Sequence, residues 1–380
     1  MSVFSDAIDQ FLYPIKELLD DAGVSEIMIN GPKEIFVEKK GLVYKVDAQF
    51  HNEEALVSAM RAIAQSVGRR IDKDNPRLDA RLPDGSRIHV VLPPMAKNGT
   101  TVAIRKFSKE KLTLNDLITF GSLSKDAARF LDICIFLGKN LIVSGGTGSG
   151  KTTMLNVLGS RIPKTQRLII IEDAAELQVK ADHVVNFETR KADAERGTTE
   201  VTIRDLVVSA MRLRPDRIIV GEVRGEEALD LIQVMNTGHD GSMGTVHANN
   251  PVDACTRLET LCLMGDTKIP ADAIRKMVGS AMQIIVQCSR YHDGGRRTSH
   301  ISEVTGIDKN GNYIARDIFK WVQTGKDPET GKYLGEMVAC NYVPTFFEDI
   351  IVNKLPFPKS NFLAPEWYNQ KLKGDKGEAA

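Results

Sequence analysis

Residues 145–153 read Gly-Gly-Thr-Gly-Ser-Gly-Lys-Thr-Thr directly after the apolar run Leu141-Ile142-Val143-Ser144. That order of strand, glycine-rich loop and Lys-Thr restricts the fold more than any other stretch of the chain. Such a loop works only where a strand delivers it to a sheet edge and a helix leaves it. Gly145, Gly148 and Gly150 let the backbone curl until its N–H groups converge on phosphate oxygens, an approach that side chains would block. Lys151 can then reach the β- and γ-phosphates, the Thr152 hydroxyl can ligate Mg²⁺, and the following helix begins with its positive end on the anion. The nucleotide-binding set is therefore Gly145, Gly146, Thr147, Gly148, Ser149, Gly150, Lys151, Thr152 and Thr153.

At roughly 100 to 200 residues per domain, 380 residues imply two or three domains. Lys+Arg 50 against Asp+Glu 50 leaves no net charge, so nothing pulls broadly on nucleic acid. The N-terminus carries acidic residues where a signal peptide carries basic ones. The longest apolar stretches, such as Ile133 to Leu137, fall far short of a bilayer span, so a cytosolic chain is expected. Cys134, Cys255, Cys262, Cys288 and Cys340 form no closely spaced pair, which disfavours a disulfide framework or a zinc ribbon.

The first third alternates a helix near Ser5 to Asp20, strands near Glu26 to Ile29, Ile35 to Glu38 and Leu42 to Val46, and a helix from Glu53 to Val67. A hairpin follows around Pro83-Asp84-Gly85, then a strand from Thr100 to Phe107. These make a small mixed α/β domain over residues 1–107. The polar stretch 108–126 reads as a linker. Over 127–350 helical and strand patterns alternate, with strands such as Leu168-Ile169-Ile170-Ile171 apolar on both faces, as in a doubly wound P-loop core. Residues 281–343 read as short strands and turns, and 351–380 as a C-terminal tail, disordered after Gln370. The fold class is α/β.

Hydrolysis needs more than a phosphate loop: a carboxylate to polarise water, and cations to neutralise charge on the γ-phosphate. Glu172 and Asp173 end one apolar strand and Glu222 ends another, with Arg224 beside it. Ligands of α/β sheets sit at the carboxyl ends of strands, so both clusters should face the loop; solvated helix caps are the alternative reading. His247 ends a further apolar strand, and His239 lies in the loop before it. Arg77, Arg81 and Arg87 surround the hairpin and Arg105 follows in the next strand; one of them could close over a phosphate as an arginine finger, with Arg105 the first candidate. Arg204, Arg212 and Arg214 are further cations hard to explain by solubility alone, with solvated surface charge the alternative reading for all of these arginines.

Taken in order, GGTGSGKTT, IIIEDAAE, RLRPDRIIVGEVRG and TGHDGSMGTVHANNP resemble the Walker A, Asp, Walker B and His boxes of the secretion-superfamily ATPases. The wording RGEEALDLIQVMNTGHDGSMGTVHANNP is most similar to the CpaF/TadA branch of tight-adherence (type IVc) pili. The resemblance implies a RecA-like ATPase domain using ATP and Mg²⁺. In it Lys151 and Thr152 hold phosphate and metal, Glu172 supports metal and water, Glu222 is the catalytic glutamate, and His247 contacts the γ-phosphate side. It further implies a cytoplasmic homohexamer at the inner membrane that drives pilus platform proteins, with Arg77, Arg81, Arg87 and Arg105 approaching the nucleotide. Gly221 stands where many P-loop enzymes have the Walker B Asp, so Glu172 or water must compensate. The alternatives are a type IV secretion or conjugation traffic ATPase, which shares all four boxes, a nucleotide-sensing scaffold, and a nucleic-acid translocase.

Overall fold

A computed structural model of the chain describes residues 11–39, 41–107, 112–192, 197–265 and 268–377, with side chains to 371. Two compact units divide it, residues 1–110 and 111–380.

The first unit opens with a 3-10 turn, Tyr13–Ile15, and helix α1 (Lys16–Asp20); residues 5–10 of the expected first helix lie outside the described residues. Strands β1 (Val24–Asn30), β2 (Ile35–Lys39) and β3 (Leu42–Val46) precede helix α2 (Glu53–Ser66), and β4 (Arg77–Arg81), β5 (Arg87–Val91) and β6 (Thr101–Arg105) follow it. They form one antiparallel sheet in the order β3-β2-β1-β6-β5-β4. Two-residue alternation turns Ile27, Ile29, Leu78, Ile88, Val90, Val102 and Ile104 inward, into one core with Leu56, Met60 and Ile63 of α2. Asn52 starts that helix by accepting the Ala55 N–H at 2.8 Å.

The second unit runs α3 (Leu114–Thr119), α4 (Lys125–Phe136), β7 (Leu141–Gly145), α5 (Lys151–Gly159), β8 (Leu168–Glu172), β9 (Val184–Glu188), α6 (Ile203–Ala210), β10 (Arg217–Val220), α7 (Glu227–Asn236) and β11 (Met243–Val246). It continues with α8 (Pro251–Met264), α9 (Ala271–Ala281), β12 (Ile284–Arg290), β13 (Arg296–Ile307), β14 (Tyr313–Lys326), β15 (Tyr333–Ala339), α10 (Phe347–Val352) and α11 (Glu366–Gly377). The sheet order is β15-β14-β13-β12-β7-β11-β10-β8-β9, parallel from β12 to β9 and antiparallel from β12 to β15. Every residue of β7, β8, β10 and β11 is buried. Alternate side chains serve two cores: Leu141, Val143, Leu168 and Ile170 pack with α4 and α5, while Ile142, Ile169, Ile171 and Val220 pack with α6, α7 and α8. This is the mixed α/β architecture that the sequence implies, an N-terminal sheet unit and a larger unit of sheet and covering helices. Among the described residues no helix is long and apolar enough to cross a membrane.

Three expectations change. The stretch 108–126 is more than a connection: Leu114, Leu117 and Leu123 are buried in the core of the second unit, with Thr113 and Asp116 closing a capping box on α3. Residues 281–343 hold long strands, twelve and fourteen residues in β13 and β14, which extend the main sheet. The described part of the expected tail, residues 351–377, is not loose. Phe357 and Phe362 are buried, Phe362 sits edge-on to Phe130 at 5.7 Å and to Phe347 at 5.9 Å, and α11 carries the backbone on to Gly377. A few aromatic residues in a polar segment suffice to anchor it, because each buries a large apolar area.

Phe362→Ala empties a site with no solvent access, so equilibrium denaturation should show the second unit destabilised by about 3–5 kcal/mol; a change below about 1 kcal/mol would return the segment to the surface.

Candidate functional site

Parallel register fixes what meets at one sheet edge. Val246 of β11 pairs with Ser144 of β7, Val220 of β10 pairs with Gly244 of β11 and with Ile171 of β8. The residues just beyond, the phosphate loop, Glu172, Glu222 and His247, are thereby brought together. His239 precedes β11 and Arg212 and Arg214 precede β10, so all three belong to the opposite edge; Arg204 pairs with Glu226 and Asp230.

The loop is shaped as the sequence requires. A side chain at Gly145 would run into the Cys288 carbonyl oxygen and Ser149 Oγ, and Gly150 takes the left-handed conformation, φ 97°, that starts α5. Asn52, Thr113, Ser124, Thr202 and Asn250 cap their helices with side chains, whereas α5 has no side-chain cap. Its first N–H groups are left for an anion. Lys151 is buried; its Nζ donates to the Gly146 carbonyl at 3.0 Å and lies 3.5 and 3.4 Å from Nδ1 and Nε2 of His247. Ser149 Oγ donates to the same carbonyl at 2.9 Å. Thr152 is half-buried in the first turn of α5, Gly146, Thr147 and Thr153 are exposed, and Gly148 is half-buried.

Glu222 is the hub. Its Oε1 lies 2.8 Å from His247 Nε2 and its Oε2 accepts from Arg224 Nη2 at 2.5 Å. Burial raises its pKa, but Arg224, then His247 and Lys151, outweigh that and hold it below the usual carboxylate value. His247 titrates below an ordinary histidine, first because burial disfavours its charge and then because Lys151 repels a second cation. The ring thus stands between the Glu222 carboxylate and the Lys151 ammonium, within 3.5 Å of both. The Glu222 turn is fixed by Thr245 Oγ1 donating to the Gly221 carbonyl at 2.7 Å and by the Val223 N–H donating to Thr245 at 2.9 Å.

Glu172 is almost wholly buried, and its Oε1 accepts the N–H groups of Glu176 and Leu177 at 2.9 and 3.0 Å. Burial pushes its pKa up to about 7, against the pull of those two N–H groups. A Cβ on Gly221 would stand 2.9 Å from Glu172 Cγ. The glycine at this strand end is thus the space that the Glu172 side chain occupies, and a buried carboxylate is delivered there from the neighbouring strand. Asp173 is exposed, 3.8 Å from Arg224.

The N-terminal arginines belong to the first unit. Arg81 pairs with Arg87 and Arg87 with Arg105 in adjacent strands, and their neighbours Ile88 and Ile104 point into the core, so the three form a row on the outer face of that sheet. Arg81 lies over the Phe107 ring at 5.5 Å. Arg77 shares the face, four residues along β4 from Arg81, roughly 13 Å away. Two arginines at the loop escape sequence reading: Arg296 Nε donates to the Gly148 carbonyl at 2.9 Å, and Arg290 Nη1 stands 3.3 Å from where a Gly148 Cβ would be. The only signal was two arginines flanking Asp293-Gly294-Gly295; nothing local says that their strand lies beside the phosphate loop.

Residues 10–314 match the family described as type II/IV secretion system protein. The chain belongs to that family. It is 34% identical over 326 residues to the type IV secretion system protein VirB11 of Brucella suis, covering 78% of this chain and 90% of that protein. It is also 34% identical over 296 residues to the conjugal transfer protein TrbB of Rhizobium radiobacter, covering 77% and 87%. The crystal structure of the pilus retraction motor PilT with bound ADP shares the fold, with a TM-score of 0.52 at 20% identity over 93% of this chain and 87% of that one.

Gly221→Ala would force Glu172 out of its place. Denaturation should show a loss of about 1–3 kcal/mol; unchanged stability would show that the two side chains do not compete for that space.

Proposed function

We propose that this chain is a Mg²⁺-dependent ATPase of the secretion family, a homohexameric motor working from the cytoplasmic side on a membrane-embedded type IV secretion or conjugation apparatus. The observation that carries the hydrolytic reading is the chain of contacts Arg224–Glu222–His247–Lys151 beside the uncapped helix α5. Glu222, kept ionised by Arg224, takes the proton of the attacking water. His247 links it to the phosphate end, and Lys151 exchanges the Gly146 carbonyl for phosphate oxygens. A divalent cation suits the buried Glu172 carboxyl group, which among the described residues accepts from backbone N–H groups; Thr152 and Glu172 are the residues that would hold it. Bound there, the cation screens the charge of the triphosphate. A scaffold that only senses nucleotide would have no need of the Glu222 contacts. The arginine row Arg81, Arg87 and Arg105, with Arg77 beyond it, supplies a cation for the γ-phosphate in its own subunit or in a neighbouring one.

The names of the relatives favour the secretion and conjugation alternative over the pilus branch. The wording of residues 224–251 keeps the tight-adherence pilus as the second reading. Deleting the gene and scoring conjugal or effector transfer beside surface piliation separates them: loss of pili alone defeats the secretion reading.

Lys151→Ala should abolish nucleotide binding. Glu222→Gln should keep binding and reduce turnover by at least about 10³-fold; native turnover in that variant refutes the catalytic assignment. Alanine at Arg105, Arg87 and Arg81 in turn should identify one arginine worth about 10³ to 10⁵ in rate, and three near-native variants would remove the row from the mechanism.

A further inference from the structure

Strand β12 is apolar through Ile284, Ile285 and Val286 and then places a primary amide, Gln287, in the interior. A buried amide costs free energy unless its hydrogen bonds are made. Parallel register shows where they go. Gln287 pairs with Ser144 of β7, and Ser144 pairs with Val246 of β11, so the three residues lie side by side across the sheet edge. The Ser144 hydroxyl donates to Gln287 Oε1, and Gln287 Nε2 donates to the Ala248 carbonyl at 3.0 Å. Because a carbonyl only accepts, Nε2 has to face Ala248 and Oε1 the hydroxyl, which leaves the amide one orientation. It thereby ties together three segments distant in sequence: β12, the residue directly before Gly145 of the phosphate loop, and the residue directly after His247.

Stability alone does not call for this amide. Exchanging both members of a buried polar pair for apolar groups of similar shape is close to neutral. An apolar pair here would continue the core begun by Ile142 and Ile285, which pair one step back on the same face. What an apolar pair could not do is hold Ala248. The turn from β11 to α8 is fixed at its far end by Asn250, whose side chain accepts the Asp253 N–H at 2.9 Å; Gln287 fixes it beside His247. The histidine depends on such fixing, because its ring meets groups from two other segments, Glu222 at 2.8 Å and Lys151 at 3.4 and 3.5 Å. Displacement by about 1 Å in a site of this kind costs on the order of 10²-fold in rate.

We propose that Gln287 is a positioning residue for hydrolysis: by holding the Ala248 carbonyl to Ser144, it keeps the His247 ring between Glu222 and Lys151. The proposal rests on the hydrolytic reading of the site. The amide acts on the turn that carries His247 and makes no contact with the phosphate, so it governs the chemical step and leaves nucleotide affinity alone.

The test sets steady-state and single-turnover ATP hydrolysis by the full-length protein beside titration with a fluorescent ADP. Gln287→Met keeps the length of the side chain and removes both hydrogen bonds; kcat should fall about tenfold or more, with ADP affinity within about twofold of wild type. In a His247→Ala background the same substitution should change the single-turnover rate by less than about twofold, because residues that act as one unit are not additive. Ser144→Ala frees the amide from β7 with the loss of one hydroxyl and should lower kcat about threefold or more, again with ADP affinity intact; it takes the place of Gln287→Met in both backgrounds if that variant does not fold. Native kcat, an equal loss with and without His247, or ADP binding weakened in step with kcat overturns the assignment. Glu222→Gln, measured alongside, reports the underlying reading separately: native turnover in that variant defeats the hydrolytic reading, whereas slow turnover there beside a native Gln287→Met defeats the positioning role alone.

Discussion

The parallel register of β8, β10, β11 and β7 is the constraint on which the site depends. Because Ile171, Val220, Val246 and Ser144 come to the edge together, one strand-length in each of four separate sequence segments delivers a chemical group to the same place. The groups are a carboxyl group held by backbone N–H groups, a carboxylate held by an arginine, a neutral histidine, and a glycine-rich loop. None of them would meet if any strand slipped by one residue, since that slip would also turn its apolar side chains from one core into the other. Burial on both faces makes such a slip prohibitive, so the packing that stabilises the second unit also sets the geometry of its chemistry.

Charge at this edge is arranged in opposition. Lys151 and Arg224 lie at the two ends of a short chain with Glu222 and His247 between them. The histidine is kept neutral by burial and by the lysine, and the glutamate is kept ionised by the arginine. Glu172 is the counterpart: a carboxylate buried among apolar strands, its pKa raised to about 7, in the space that Gly221 leaves open. A glycine at a position where an acid is expected looks like a loss in the sequence. In three dimensions it is an exchange of one carboxylate for another from the adjacent strand.

Much of this was legible in the chain. Strands such as Leu168–Glu172 and Arg217–Val220 announce themselves as short apolar runs bounded by polar residues, and the helix Pro251–Met264 falls where its Asn250 cap and Pro251 say it should. What escaped reading has a common cause. Val184–Glu188 is half polar because it is an edge strand, the stretch with Leu114 and Leu117 is buried along only one stripe, and the segment around Phe357 and Phe362 is tied down by a few aromatic rings. In each, the stabilising contact lies far away along the chain, and local composition carries little trace of it.

By itself the sequence determined the phosphate loop, the strand-end acids and the histidine, because glycine spacing, apolar runs and residue type act over a few neighbouring positions. Only the tertiary structure decided which of those groups touch. It paired Glu222 with His247 and Arg224, gave Glu172 the space above Gly221, sent His239 to the far edge, and brought Arg290 and Arg296 to Gly148. Those outcomes follow from strand order and register, which are properties of pairing between distant segments that no local pattern encodes.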